Sequence, residues 1–499
     1  MKKSIIPQIR ERLAAFDAQS AIECKALLKE AAKWKLKVGD ELMEYADVLL
    51  FVLAYAPNVG LVQQAEKELK RISNFLKKAT VREKQKLENS GLPFTPITTR
   101  FSHECCEWLQ AHQEVNLEMH HFDEASKSLS EILKFTLPPF ERDLAVVDPS
   151  DEDLLLELGI QPKNKLSFIL QQFDELNDRP QLKDYFFDAL GMTVRVTPKT
   201  EKFSRLYNRI PVSKRFEHHE IMRKFDHMAL LNQALPEPKK LSETERSIVI
   251  DVIKKSMTLT ARETDPATYL DPSTLRLYEL ERGISIAHYT MTINRKLPLE
   301  YYIGFTLFKN GLPASYGGAW VFGKRALFGI NVFEAYRGGE SGYIMCQLLR
   351  SYRQAYGVDY FEVEPYQYGA DNPDGIKSGA FWFYYRYGFR PLDKDLLHLA
   401  HTEAEKVKTN KGYRSSERTL LKFTQSNIAL NFGTEVPPTV PEVAAMITAF
   451  INKKFGGDRR KAIDACMTSF LAKNKLARPT NPEELILLEE IVMVDAVSV

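Results

Sequence analysis

From about Ile284 the chain cannot be read as helix. The segments SIAHYTMTI, YYIGFTLF, ASYGGAWVF, ALFGINVF and VDYFEVEP are short and rich in aromatic and β-branched residues. Turn signals such as Lys309-Asn310-Gly311 and Phe322-Gly323-Lys324 separate them. They predict four or five consecutive strands. A helix over Gly342 to Tyr356 interrupts the last two, and a second helix (Ser378 to Tyr387) and a final strand (RTLLKF, Arg418 to Phe423) follow. Hairpins first and a β-α-β unit afterwards can be reconciled only in a mixed sheet.

The flanks read differently. Residues 1 to 200 carry apolar residues at spacings of three and four, as in LAAFDAQSAIECKALLKEAAKWKL, and predict a helical domain. Breaks at Pro57-Asn58, GLPFTP, LPPFERD and GIQPKNK cut it into hairpins of irregular length, with no fixed repeat period. Residues 201–240 read as a connector. Ser242 followed by Glu245 is a capping box, so a helix opens there. Beyond Pro437-Pro438 the pattern is helical again. The fold class expected is α+β and multidomain: a helical domain at 1–200, a mixed α/β domain at 241–425, and a helical segment at 426–499.

Composition excludes some classes. With 68 basic and 66 acidic residues, the chain has no global pull toward nucleic acid or anionic membrane. The basic stretch from Lys67 to Lys86 reads as a solvated helix face. The longest apolar run, VLLFVLAYA, is half the length of a membrane span. No apolar segment follows the N-terminal lysines, and five scattered cysteines suit a reducing compartment. A soluble, cytoplasmic protein is expected. HECCEWLQAH (His103 to His112) gathers histidines and cysteines, but adjacent Cys105-Cys106 fit neither C-x-x-C nor H-x-x-x-H, so no metal is expected.

The chemistry concentrates where ALFGINVF ends. Tyr336-Arg337-Gly338-Gly339 is a turn, and from Glu340 the pattern is helical, with Ile344, Leu348, Leu349 and Tyr352 on one face. A strand that passes through a glycine turn into a helix presents free N–H groups at the positive end of the helix dipole, which is an anion site. Some 40 residues on comes SGAFWFYYRYGFRP, a short aromatic helix that stops at Gly388.

Together these two motifs resemble the GNAT superfamily of acetyl-CoA-dependent N-acetyltransferases, over roughly residues 245–425. The first motif reads from Val332 to Gly342, with Arg337 and Gly342 at family positions; the second reads Ala380, Tyr384, Gly388, Phe389. The resemblance implies acetyl-CoA or another acyl-CoA as cosubstrate. Its pyrophosphate would lie on the turn Val332, Phe333, Arg337, Gly338, Gly339, Glu340, Ser341 and Gly342, and Tyr384 would lie near the thioester sulfur. Glu340 stands where the family has a glycine. Its side chain either points outward, leaving the N–H groups free, or folds over the turn and opposes pyrophosphate. Lys377 stands where the family often has Asn.

Acyl transfer to an amine needs a base for the amine proton and an acid for the thiolate. Glu362 and Glu364 alternate onto one face of a predicted strand, and Glu334 ends the preceding one; these are the base candidates. Tyr384 is the acid candidate. The alternatives are carboxylates paired to Arg337 or Arg386, and a core tyrosine. The turn Tyr316-Gly317-Gly318 is a further candidate for the acceptor cleft.

The reading is an N-acyltransferase that acts on a small-molecule or protein amine. A second reading is a catalytically degenerate relative, a ligand- or protein-binding module whose helical region meets a partner. A third is an aminoacyl transferase that uses charged tRNA, which needs a basic cleft.

Overall fold

The structure is a computed structural model and describes residues 5–15, 18–146, 150–297 and 299–497. Eleven strands lie among the described residues, in two sheets. β1 (Ile97–Arg100), β2 (Val115–Phe122) and β3 (Met192–Pro198) form an antiparallel sheet in the order β1-β3-β2. The remaining eight are β4 (Arg276–Glu279), β5 (Ile284–Thr290), β6 (Tyr301–Lys309), β7 (Leu312–Phe322), β8 (Arg325–Val332), β9 (Tyr360–Val363), β10 (Arg390–Pro391) and β11 (Ile428–Asn431). Their order is β10-β11-β9-β8-β7-β6-β5-β4.

The large sheet is mixed, as hairpins followed by a crossover demand. β4 to β8 are antiparallel neighbours in chain order. β8 and β9 are parallel, because the 16-residue helix Ser341–Tyr356 returns the chain to the starting edge. That helix buries Ile344, Leu348, Leu349 and Tyr352 against the sheet, the face predicted from their spacing. The Tyr352 hydroxyl donates to the Ile303 carbonyl at 2.5 Å and ties helix to sheet.

Two expectations are corrected. The first 200 residues are not wholly helical. Residues up to about 92 are helices that share one apolar core with the large sheet, whereas residues 97–203 carry β1 to β3 and a core of their own. RTLLKF is not a strand. Ser416 caps a helix there, Glu417–Phe423, which buries Leu420 and Phe423 three apart; the strand comes at β11, beyond the expected boundary at 425. The helix predicted over Ser378 to Tyr387 forms as Ala380–Arg386, and a separate short helix, Pro373–Ser378, precedes it across Gly379.

The VLLFVLAYA run lies in the Asp40–Tyr55 helix, buried along most of its length against the large sheet. The basic stretch falls on and beyond the Val59–Lys78 helix, which buries only one stripe, including Leu61, Leu69, Ile72 and Leu76. The helix predicted at Ser242 forms with both capping-box hydrogen bonds. The C-terminal helices Val440–Phe455, Arg459–Asn474 and Pro482–Asp495 pack on a separate small core. Among the described residues no helix is long and apolar enough to cross a membrane.

Asn310 locks the Asp40–Tyr55 helix to the sheet. It makes the β6–β7 turn at φ +50°. Its Nδ2 donates to the carbonyls of Ala54 (2.9 Å) and Phe216 (3.0 Å), while its Oδ1 accepts the Phe216 N–H at 2.8 Å. Asn310→Ala strips three hydrogen bonds and leaves buried backbone groups unpaired, so we expect a loss of roughly 3 kcal/mol in chemical denaturation.

Candidate active site where strand β8 leaves its neighbour

β8 and β9 pair at three positions only: Arg325 with Tyr360, Ala326 with Phe361, and Leu327 with Glu362. β9 stops at Val363 because Pro365 opens a 3-10 turn. β8 runs on to Val332, so from Phe328 its edge has no strand beside it. One side chain fills this gap. The Gln367 Oε1 accepts the Ile330 N–H at 3.3 Å and the Tyr384 hydroxyl at 3.3 Å. A side-chain amide thus occupies the position a further strand would take. Burial raises the Tyr384 hydroxyl above its ordinary range, with no charged neighbour contributing, so it is protonated at neutral pH.

Beyond β8, the Phe333 N–H donates to the Ala314 carbonyl at 3.0 Å, and Glu334–Tyr336 make one 3-10 turn anchored by buried Ala335 and Tyr336. Arg337 and Gly338 are exposed, and Gly338 has φ +84°, a conformation that costs glycine little. Ser341, Gly342 and Tyr343 open the helix, where backbone N–H groups have no intrahelical acceptor. The predicted strand–turn–helix is therefore present.

Glu340 does not point outward. It is 1 % exposed and turned inward. It accepts from the Lys309 Nζ at 2.5 Å, the Arg282 Nε at 2.9 Å and the Met222 N–H at 3.0 Å. Lys309 ends β6 and is itself fully buried, its ammonium 5.2 Å from the centre of the Tyr55 ring. Burial lowers the Lys309 pKa to about 8 despite the attraction of Glu340. His218, beside them, is held neutral by burial and by the Lys309 charge, its pKa pushed down to about 3. The glycines around Glu340 mark what covers the turn. A Cβ on Gly339 would stand 2.6 Å from the Tyr55 hydroxyl, and one on Gly342 would stand 1.8 Å from that of Tyr387.

The three base candidates separate. Glu362 is buried, ion-paired to Arg325, and accepts from the Asn427 Nδ2 at 2.6 Å, so its carboxylate is engaged within the fold. Its partner is neither Arg337 nor Arg386. Glu364 falls after the end of β9, is exposed, and does not share a strand face with Glu362. Glu334 is exposed on the wall of a cavity of about 440 Å³ that Val332, Phe333 and Arg337 also line. Arg262, on the same wall, donates to the Tyr316 hydroxyl at 2.9 Å, with Glu334 and Tyr366 close enough to favour its charge. Tyr316-Gly317-Gly318 is the middle of β7, not a turn, although Tyr316 reaches this cavity's edge through Arg262.

Sequence reasoning missed Gln367, Arg262, Arg282 and the charge of Lys309. Only Lys309 carried a signal: a lysine closing the apolar run YYIGFTLF is poorly placed for solvent. In the histidine-rich stretch, His103 is buried and its Nε2 lies 2.9 Å from the Leu170 carbonyl; His103, Glu107 and Asp174 bring one potential ligand atom each to within 4.8 Å of one another. No family model, curated protein or solved structure matches this chain.

Two outcomes follow. Burial alone would raise the Glu340 pKa, but the Lys309 charge and the hydrogen bonds from Arg282, Lys309 and the Met222 N–H outweigh it and hold the carboxyl below its ordinary range. A depressed folded-state pKa contributes stability that is present above the unfolded value of about 4.3 and lost as pH falls through the folded one. Denaturation midpoints measured below about pH 5 therefore fall more steeply for the unmodified protein than for Glu340→Gln, which starts roughly 3–5 kcal/mol less stable. Gln367→Ala orphans the Ile330 N–H and the Tyr384 hydroxyl, and we expect about 1–3 kcal/mol of destabilisation by the same measurement.

Proposed function

We propose that the chain is an N-acyltransferase of the GNAT type that moves an acyl group, acetyl in the simplest case, from a coenzyme A thioester to an amine. One observation carries this reading: β8 parts from β9 after three residue pairs, and an amide side chain sits on the backbone it leaves open. The pantetheine arm of coenzyme A is an extended chain with two amides. It can pair with a strand edge as Gln367 does, and displacing Gln367 exchanges one amide hydrogen bond for another.

The transfer is direct. The amine nitrogen attacks the thioester carbonyl, the new N–C bond forms and the C–S bond breaks. The amine proton passes to Glu334, alone among the three carboxylate candidates in facing the cavity. The departing thiolate is met by Tyr384, which is protonated across the physiological range. The Ile330 N–H polarises the carbonyl once Gln367 has moved. Arg337 and the helix N-terminus at Ser341 and Gly342 receive the pyrophosphate. Acetyl-CoA should bind with roughly micromolar affinity in calorimetry, and Arg337→Glu should abolish the heat. Tyr384→Phe should keep binding and lower turnover about 10²-fold or more.

A second reading is favoured by Glu340. Its inward side chain, with Tyr55 and Tyr387 over the neighbouring glycines, suits a relative that has given up the donor and binds a ligand or a protein through the cavity and helical region. Absence of acetyl-CoA binding by the unmodified protein would select it.

A further inference from the structure

The first turn of the Ser341–Tyr356 helix carries an aromatic slot, and a side chain from the connector fills it. The N–H groups of Ser341, Gly342 and Tyr343 have no acceptor among the described residues. One wall of the slot is Tyr343, whose hydroxyl accepts from the Gln347 Nε2 at 2.9 Å. The other is Tyr387, whose hydroxyl takes the space that a Cβ on Gly342 would need. Phe225 lies between them, its ring centre 5.2 Å from that of Tyr343 and edge-on to it, and 5.9 Å from that of Tyr387 and stacked on it. Both tyrosines are buried, whereas Phe225 is half-buried and so reaches the surface. The connector is pinned on both sides of Phe225 and untied at it. Before it, Phe216, His218, the Glu220 carbonyl and Met222 are hydrogen-bonded to Asn310, Ala56, Arg282 and Glu340; after it, the Gln233 carbonyl accepts from Arg350. From Arg223 to Asp226, no hydrogen bond among the described residues reaches beyond the connector and the His227–Asn232 helix that follows.

We infer that Phe225 is a built-in plug over the nucleotide end of the donor site: residues 223–226 lift, the pyrophosphate reaches the turn, and the adenine ring takes the slot between Tyr343 and Tyr387. This rests on the acyltransferase reading. The slot already holds a flat aromatic ring, and a purine offers the same face and edge to the two tyrosines. Phe225 stands to the adenine as Gln367 stands to a pantetheine amide: each is a side chain of matching chemistry, held where the donor is to lie. Lifting the plug breaks ring contacts but no hydrogen bond to the body of the protein, so the closed state is favoured only modestly. The pinned residues on either side keep the segment within reach and let it close again.

The test is calorimetry of the full chain with acetyl-CoA and with S-acetylpantetheine, which lacks the nucleotide, for the unmodified protein and Phe225→Ala. Acetyl-CoA should bind the variant about 10-fold more tightly, the gain expected when a site closed roughly nine-tenths of the time is opened. S-acetylpantetheine should bind both proteins alike. Trypsin supplies a second measurement that needs no variant: Arg223 and Lys224 are exposed on the segment that lifts, and acetyl-CoA should speed cleavage there. If circular dichroism shows that Phe225→Ala does not fold, the trypsin result decides. The inference is overturned if the variant binds acetyl-CoA no more tightly than the unmodified protein, if S-acetylpantetheine gains as much, or if acetyl-CoA slows the cleavage or leaves it unchanged. Acetyl-CoA binding to the unmodified protein with any of these results removes the plug and leaves the acyltransferase standing. No acetyl-CoA binding by either protein removes both.

Discussion

A buried carboxylate facing two cations organises the centre of this molecule. Glu340 sits at the start of the Ser341–Tyr356 helix, Lys309 at the end of β6, and Arg282 just before β5. Three elements far apart in sequence meet at one charge cluster. Taking these ions out of water is expensive, and only close geometry with further hydrogen bonds repays it. The Met222 N–H supplies one such bond to Glu340, and the Arg282 carbonyl accepts from Lys309 at 2.8 Å. The cluster therefore specifies where the crossover helix begins and draws the connector across it, with Phe225 and His227 packed on Tyr387.

The same cluster bears on ligand chemistry. A glycine at position 340 would leave the turn's backbone bare; the glutamate puts a negative charge beneath it, but one already neutralised by two cations. Two observations bear on the site in opposite senses. Tyr55 and Tyr387 crowd the turn over Gly339 and Gly342. Arg337 and Gly338 remain exposed, and the gap beside β8 holds only the Gln367 side chain. The cavity lies on the open side, between the sheet and the Asp40–Tyr55 helix, so the helical region and the sheet contribute to one site rather than to two.

Much of the fold was legible. Five strand segments read from aromatic and β-branched content form as strands, because a period of two with such side chains has few other uses. The capping box at Ser242, the glycine turn at Gly338 and the apolar face of the crossover helix form as read, since each is decided within a turn or two of chain. RTLLKF misled because six residues hold too little periodicity to separate strand from helix, and Ser416 as N-cap outweighed β-propensity. β1 to β3 were missed because half-exposed strands such as VNLEMHHF lie between helical runs and gain their stability from partners 70 or more residues away. The site was legible only in part. Arg337, Gly338 and Tyr384 were visible in motifs, whereas Gln367 sits in no motif and matters only because β9 ends early.

By itself the sequence determined the local elements, the mixed character of the sheet and the position of the strand–turn–helix, because these depend on side-chain periodicity and turn chemistry over short spans. Tertiary structure alone decided the direction of Glu340, the pairing of Glu362 with Arg325, and that Glu334, alone of the three base candidates, lines the cavity. Each of these is a charge whose cost depends on what lies within a few ångströms of it. In this chain those neighbours come from residues 30 or more positions away.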